Sequence, residues 1–332
     1  MLVLATALLL VTSQAPGSRA SIDAALDRLY PNEKDYRFGL QADPGETGPP
    51  LAEVVVYRGA KPVPHWHYVT YGLSELGAKS STDPKLSGFG LEYTLRLVDP
   101  SPTPPAWPIN LLRWVAAQVW LTRQPYDPAH SMNLPNPRML ETVSPGVEGL
   151  AFLADESLGT IDTPNGTVQF VNVVPLARGE FELIGRWDVK KLFAEIRMLQ
   201  KDLLWRMGRK SCLDGPRAAA ITALVEKDGS SQSVDFIDLS CDAHSLRPDV
   251  ASRAVVVRAL RYRLAYGRDV RVIGSQTETK LSPGPWAFKF GKSICEVHVP
   301  QAEARALADE LDRAKGGAVI SRPGGVVLRV RK

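Results

Sequence analysis

The sequence predicts an α+β protein of two lobes, each a mostly antiparallel mixed sheet packed with helices. Three observations lead there. Residues His65–Tyr71 and Phe89–Leu97 alternate with period two, as strands with two differently used faces do. A proline-rich connector then delivers a helix with apolar residues at helical spacing. The last third of the chain repeats the mixture, with short strand-like runs closed by an amphipathic helix and a hairpin.

Taken in order, Leu2–Val11 is an apolar run too short to cross a bilayer, followed by Ser18-Arg19-Ala20, which has the small-x-small form of a signal-peptidase site. No Lys or Arg precedes the run, so residues 1–20 read either as a signal peptide or as a misassigned start, and they stand outside the fold argument. Ser21–Tyr30 reads as a helix capped by Ser21, with Ile22, Ala25, Leu26 and Leu29 on one face and Pro31 ending it. Ala52–Tyr57 reads as a strand after a Gly- and Pro-rich span, and Gly72, Gly88 and Gly90 punctuate the two central strands at turns, a bulge or close backbone approaches.

Five prolines in the ten residues from Asp99 to Pro108 make an extended connector. It leads Trp107 and Pro108 into a helix over Ile109–Leu121, with Leu111, Leu112, Val115, Ala116 and Val119 inward and Trp114 and Trp120 flanking them. Gly149–Ala154 reads as a strand, and Thr160–Val174 as a hairpin about Asn165-Gly166, which explains that pair better than the glycosylation sequon it also forms. Trp187–Met207 is the longest helical stretch and closes the first domain, predicted to span 21–210, with a smaller lobe over 211–332. In the latter, Val255–Tyr266, Val270–Ile273, Trp286–Phe290 and Ile294–Val299 read as strands, Gln301–Ala314 as a helix, and Ala318–Val330 as a hairpin broken at Pro323-Gly324-Gly325.

Composition narrows the function. In 332 residues, 40 basic side chains nearly balance 36 acidic ones, so nothing demands a nucleic acid; the basic residues over Arg253–Arg271 read as the solvent faces of half-buried strands. Cys212, Cys241 and Cys295 are far apart, with no Cys-x-x-Cys, which indicates neither a zinc knuckle nor a disulfide framework and suits a reducing compartment.

His65-x-His67 is the one constellation with metal-ligand character, since both imidazoles leave a strand on one side. A metal needs further ligands, and His130, His244 and His298 stand in no ligand-spaced motif, so a structural role for His65 and His67 is preferred over a metal-dependent enzyme. No Gly-x-Ser-x-Gly elbow or phosphate loop occurs; Ser74 reads as a turn residue, and the acid pairs Asp155/Glu156 and Asp235/Asp238 as solvated surface groups. No catalytic residue, metal or cofactor is assigned, which leaves a binding module.

The strings HWHYVTYGLSEL, SGFGLEYTLRL and PPAWPINLLRWVA, in that order, resemble the N-terminal lobe of the suppressor of fused family, as do the short helix ending in LYP and the TP-x-G-x-V-x-F run over Thr163–Phe170. Arg258–Gly267, a later Pro-Trp strand and an acidic terminal helix resemble its C-terminal lobe more loosely, without the long insertion of the animal proteins. His65, His67, Gly88, Gly90, Trp107 and Pro108 are read as structural. The resemblance implies a non-catalytic protein-binding module whose lobes close on an extended peptide, added as a strand in an interlobe cleft; in animals that peptide comes from a Gli-type transcription factor. The family's contacting tyrosine and acidic residue correspond to Gln118 and His130 here, so that partner is not carried over. The compact, Ala- and Arg-rich sequence looks bacterial, and bacterial members accompany polymorphic toxin systems as immunity proteins. The expectation is a cytoplasmic module (secreted or in the envelope if residues 1–20 are a signal) that sequesters a protein or peptide, with a toxin domain as one candidate, and binds no nucleic acid or membrane. The surface expected to do so is Trp66, Tyr68, Tyr71, Gln118, Trp120, Tyr126 and His130.

Overall fold

The two alternating runs become neighbouring antiparallel strands in the computed structural model, which describes residues 17–40, 51–134, 140 and 143–331. The first unit runs to Pro175 and regains Asp202–Arg209. Its elements are α1 (Ser18–Leu29), β1 (Tyr36–Gly39), β2 (Glu53–Gly59), β3 (His65–Tyr71), β4 (Leu86–Leu97), α2 (Trp107–Thr122), β5 (Ser131–Asn133), β6 (Val147–Ala154), β7 (Thr160–Thr163) and β8 (Gly166–Ala177). They form one sheet of order β1-β2-β3-β4-β8-β6-β5, with β7 paired to β8. Register runs Trp66↔Leu97 to Val69↔Thr94 between β3 and β4, while β4 and β8 are parallel.

Both faces of this sheet are covered, and this decides the fate of β3. On one side α2 lays Leu111, Leu112, Val115 and Val119 against Trp66, Tyr68, Tyr93 and Leu95. On the other, Ile22 and Leu26 of α1 and Tyr30 just after it meet Val55, Tyr57, Val69, Tyr71 and Phe170. Every residue of β3 is therefore buried. Trp66, Tyr68 and Tyr71, expected on a partner surface, are core side chains instead; a strand between two helix layers has no wet face for its alternation to report. Trp66 meets Tyr36 edge-on, and the hydroxyls of Tyr68 and Tyr71 donate to Pro105 O and Asp23, each at 2.8 Å.

α1 begins earlier than Ser21. Ser18 is fully buried, its hydroxyl 2.7 Å from that of Ser87 and 2.8 Å from that of Thr163. The Ser18-Arg19-Ala20 triplet is thus the first turn of a packed helix. Leu2–Val11 and the span 43–50 lie outside the described residues.

The second unit takes Leu176–Lys201 and the chain from Lys210 onward. It contains α3 (Glu180–Arg186), α4 (Val189–Leu199), α5 (Ala218–Asp228), β9 (Val234–Phe236), β10 (Ser240–Asp242), β11 (Ser245–Arg247), α6 (Val250–Tyr262), β12 (Val270–Ile273), β13 (Glu278–Pro283), β14 (Ala287–Phe290), β15 (Ile294–Val299), α7 (Ala304–Arg313), β16 (Val319–Ser321) and β17 (Val327–Arg329). One sheet has the order β14-β15-β13-β12-β9 and the other β10-β11-β17-β16.

Three expectations change here. The helix expected over Trp187–Met207 stops at Leu199, and Trp205 returns to the first unit: its N–H donates to Arg96 O at 2.7 Å, its carbonyl accepts from Val98 at 2.9 Å, and its ring meets Trp107. A boundary at residue 210 therefore gives way to an interleaved division. Val255–Tyr266 falls mainly in helix α6 and not in a strand, because Asp249 and Ser252 close a capping box and Val256, Val257, Leu260 and Leu264 fall on one buried stripe. Its basic residues answer carboxylates, Arg258 pairing with Asp235 and Arg261 with Asp309. Finally, Cys241 of β10 and Cys295 of β15 are disulfide-bonded across 54 residues, tying the two sheets together, while Cys212 is buried outside that bond. The two strands belong to different sheets, so these cysteines meet only when the sheets pack together, which their spacing alone could not reveal. Cys295→Ser is expected to lower the stability of the second unit by about 3 kcal/mol, from restored loop freedom in the unfolded chain. Urea unfolding with and without a thiol reductant checks this: the reductant should destabilise the parent and leave the variant unchanged.

Candidate functional site

The exposed part of the expected surface begins where α2 ends. Pro108 in its first turn needs no backbone donor, which suits the end of a proline-rich connector, and the apolar stripe fixes the helix on the sheet. Gln118 is half-buried, whereas Trp120 is 38% and Leu121 74% exposed. Trp120 stands edge-on to Phe89 at 6.2 Å, and the Arg123 guanidinium lies 4.0 Å from its ring centroid.

The chain then crosses to the sheet's end. Tyr126 stacks on Phe152 of β6 at 4.8 Å and its N–H donates to the Tyr93 hydroxyl at 2.9 Å. Asp127 N–H donates to Nδ1 of His130, which is exposed. Phe152 N–H donates to His130 O, and Leu134 N–H to Glu148 O. Antiparallel alternation then turns the N–H and C=O of Ser131 and Asn133 away from β6. Among the described residues β5 ends the sheet, so these groups form an open edge. Trp120, Tyr126 and His130 thus follow one another along the chain from the end of α2 to β5, Trp120 meeting Phe89 of β4 while Tyr126 and His130 meet Phe152 of β6. The stretch Tyr126–Asn133, expected on that surface as a loop, ends in the short strand β5, which lies in a turn-rich stretch and carries no strand pattern of its own.

The first unit also holds two buried polar clusters. Glu92 is fully buried and accepts from the Thr70 hydroxyl (2.6 Å), the Ser74 hydroxyl (2.6 Å) and the N–H groups of Gly72 and Ser74 (both 2.9 Å), with Leu73 N–H at 3.4 Å. Burial raises its pKa while these donors oppose the rise. It holds the Gly72–Ser74 turn. At Gly72, with φ +132°, a Cβ would also strike the backbone of Leu51 and Ala52, so only glycine fits.

Asp155, expected to be solvated, is buried instead. It pairs with both arms of Arg96 and accepts from the Thr94 hydroxyl (2.6 Å) and the N–H groups of Ser157 (2.9 Å) and Leu158 (3.0 Å). Burial alone would raise its pKa, but Arg96 holds the carboxyl well below the usual range. Nε2 of His67 lies 3.8 Å from Asp155, and Nδ1 is 2.8 Å from the Tyr30 hydroxyl. Burial first, then Arg96, push the His67 pKa well below 6.5, so the ring is neutral and the carboxylate's counter-ion is Arg96. His65 is also buried, with Nδ1 2.8 Å from Val63 O, and its ring fills the space beside Gly59. Among the described residues no three or more His, Cys, Asp or Glu side chains are grouped to hold a metal ion. The amide of Asn165 in the sequon donates to Glu75 O and Gly77 O and is nearly buried. No described helix is long and apolar enough to cross a membrane.

Residues 48–210 match the family described as suppressor of fused protein. The human suppressor of fused homolog is 27% identical over 246 residues, 68% of this chain and 50% of its own length; the mouse homolog is 27% identical over 161 residues, 45% of this chain and 33% of its own. The chain thus spans half or less of the curated relatives it matches. The crystal structure of Drosophila Suppressor of Fused superposes with a TM-score of 0.77 at 18% identity, covering 96% of this chain and 98% of that one, which shows a shared α+β fold. A chain from the Sufu–Fu complex crystal structure matches with a TM-score of 0.52 at 25% identity, over 60% of this chain and 93% of its own.

Proposed function

Since residues 48–210 belong to the suppressor of fused family, we propose that this chain is a non-catalytic protein-binding module that takes an extended segment of its partner along β5. One observation carries the reading: the N–H and C=O of Ser131 and Asn133 point outward on the strand that ends the described sheet. A strand laid there gains main-chain hydrogen bonds, and the flanking side chains supply selectivity. The Sufu–Fu complex supports the class of activity, since a relative of the same fold assembles with another protein. The finer reading, an immunity protein that masks a toxin domain, rests on the resemblance to compact bacterial members.

The test is a pull-down with the full chain and mass spectrometry of what it retains. Asn133→Pro removes an outward donor without breaking a bond to β6. It should leave the melting temperature within about 2 °C of the parent and lower recovery of the specific partner at least tenfold. Trp120→Ala should weaken recovery too. Undiminished recovery by both folded variants would place the contact elsewhere. For the toxin reading, co-expression with the recovered partner should restore growth that the partner alone arrests.

A further inference from the structure

We propose that the Cys241–Cys295 bond is a redox latch: a dithiol reductant opens it in the folded protein and frees the β10–β11 hairpin, while the rest of the second unit keeps its structure. Cys241 is half-buried on β10, the terminal strand of the four-stranded sheet. Cys295 is fully buried on β15, which pairs with β13 on one side and β14 on the other. The bond is therefore approached from the Cys241 side. There a thiolate of the reductant attacks Sγ of Cys241, the S–S bond breaks, and Cys295 leaves as a thiolate that takes up a proton. The second thiol of the reductant then displaces Cys241, so the reductant ends as a disulfide and the protein with two thiols.

The hairpin is otherwise lightly held. Its strands pair with each other from Ser240↔Arg247 to Asp242↔Ser245, and Asp242 closes the turn from within, accepting from the N–H groups of His244 (2.9 Å) and Ser245 (2.8 Å) and pairing with Arg247. Toward the rest of the unit, β11 meets β17 at one pair in register, Leu246↔Leu328, and the Ser240 hydroxyl accepts from Arg331 at 3.3 Å. Leu246 is the one fully buried apolar side chain of the two strands. Both flanks are anchored: Leu239 O accepts from the Thr277 hydroxyl at 3.2 Å, and Pro248 O from Arg331 N–H at 3.0 Å, just before Asp249 caps α6. Residues 240–247 can thus swing between two fixed points, because a segment with few buried apolar contacts opens at low cost. The competing role is a permanent staple, which would survive the reductant until the whole unit unfolds.

The test treats the full chain with dithiothreitol in native buffer, alkylates with iodoacetamide and locates the label by mass spectrometry. Cys212, buried and outside the bond, reports global opening within the same molecule. Cys241 and Cys295 should be alkylated while Cys212 is spared, and amide hydrogen exchange over residues 240–247 should quicken at least about tenfold on reduction, with β12 and β13 unchanged. Cys241→Ser should exchange rapidly over the same residues with or without dithiothreitol. A bond that stays closed until Cys212 is also labelled overturns the latch. So does reduction that leaves the hairpin amides as slow as before, or that quickens β12 and β13 equally.

Discussion

Glu92→Ala is expected to destabilise the first unit by about 5 kcal/mol, because it strips one acceptor from five donors of which each costs about 1 kcal/mol or more when left buried and unmet. Thr70, Gly72, Leu73 and Ser74 supply those donors, at a position fully buried in the parent. Glu92→Gln keeps one acceptor oxygen but turns an amide N–H₂ toward donors, so it should fall between the parent and Glu92→Ala. Urea unfolding followed by tryptophan fluorescence measures both. A loss below about 1 kcal/mol for Glu92→Ala would mean that the turn finds other acceptors and that the cluster is incidental to the fold.

Arg96→Met is expected to cost about 4 kcal/mol, the penalty for leaving a buried carboxylate without its counter-ion. Pairing it with Asp155→Asn should recover part of the loss, since an amide asks less of its surroundings than an unpaired charge. The same cluster sets the acid response. His67 has a folded-state pKa below its usual 6.5, so the unfolded chain binds the extra proton first and stability falls as pH drops below about 6.5. Asp155 has a depressed carboxyl pKa, so its contribution is present above the ordinary carboxylate range and is lost only as pH falls toward the folded value. Unfolding free energies measured between pH 7.5 and about pH 5 should therefore decline in the parent and stay flatter in His67→Gln. Equal slopes would assign the decline to other groups.

Much of the first unit could be read from local pattern. Period two in β3 and β4, the proline entry to α2 and the Asn-Gly turn before β8 each state a backbone preference that tertiary structure upholds. Which face was wet could not be read. Alternation reports two differently used faces, and in β3 both are buried, one beneath α1 and one beneath α2. Arg96 and Asp155 sit in separate elements, so their pairing appears only after the sheet assembles. The helical character of α6 was within reach: Asp249 three positions before Ser252, then Val256, Leu260 and Leu264, is a cap followed by a helical stripe. The Val and Arg run within it also suits a strand, and that local ambiguity won.

The return of Asp202–Arg209 to the first unit sets how the gene can be divided. A product ending at Lys201 lacks the indole that covers Trp107 and bonds to Ser144, while one carried through Lys210 drags α3 and α4 along with Leu192, Phe193 and Ile196 unsheltered. No single cut yields either half intact. Chimeras between relatives must exchange two separate stretches at once, or move the whole polypeptide.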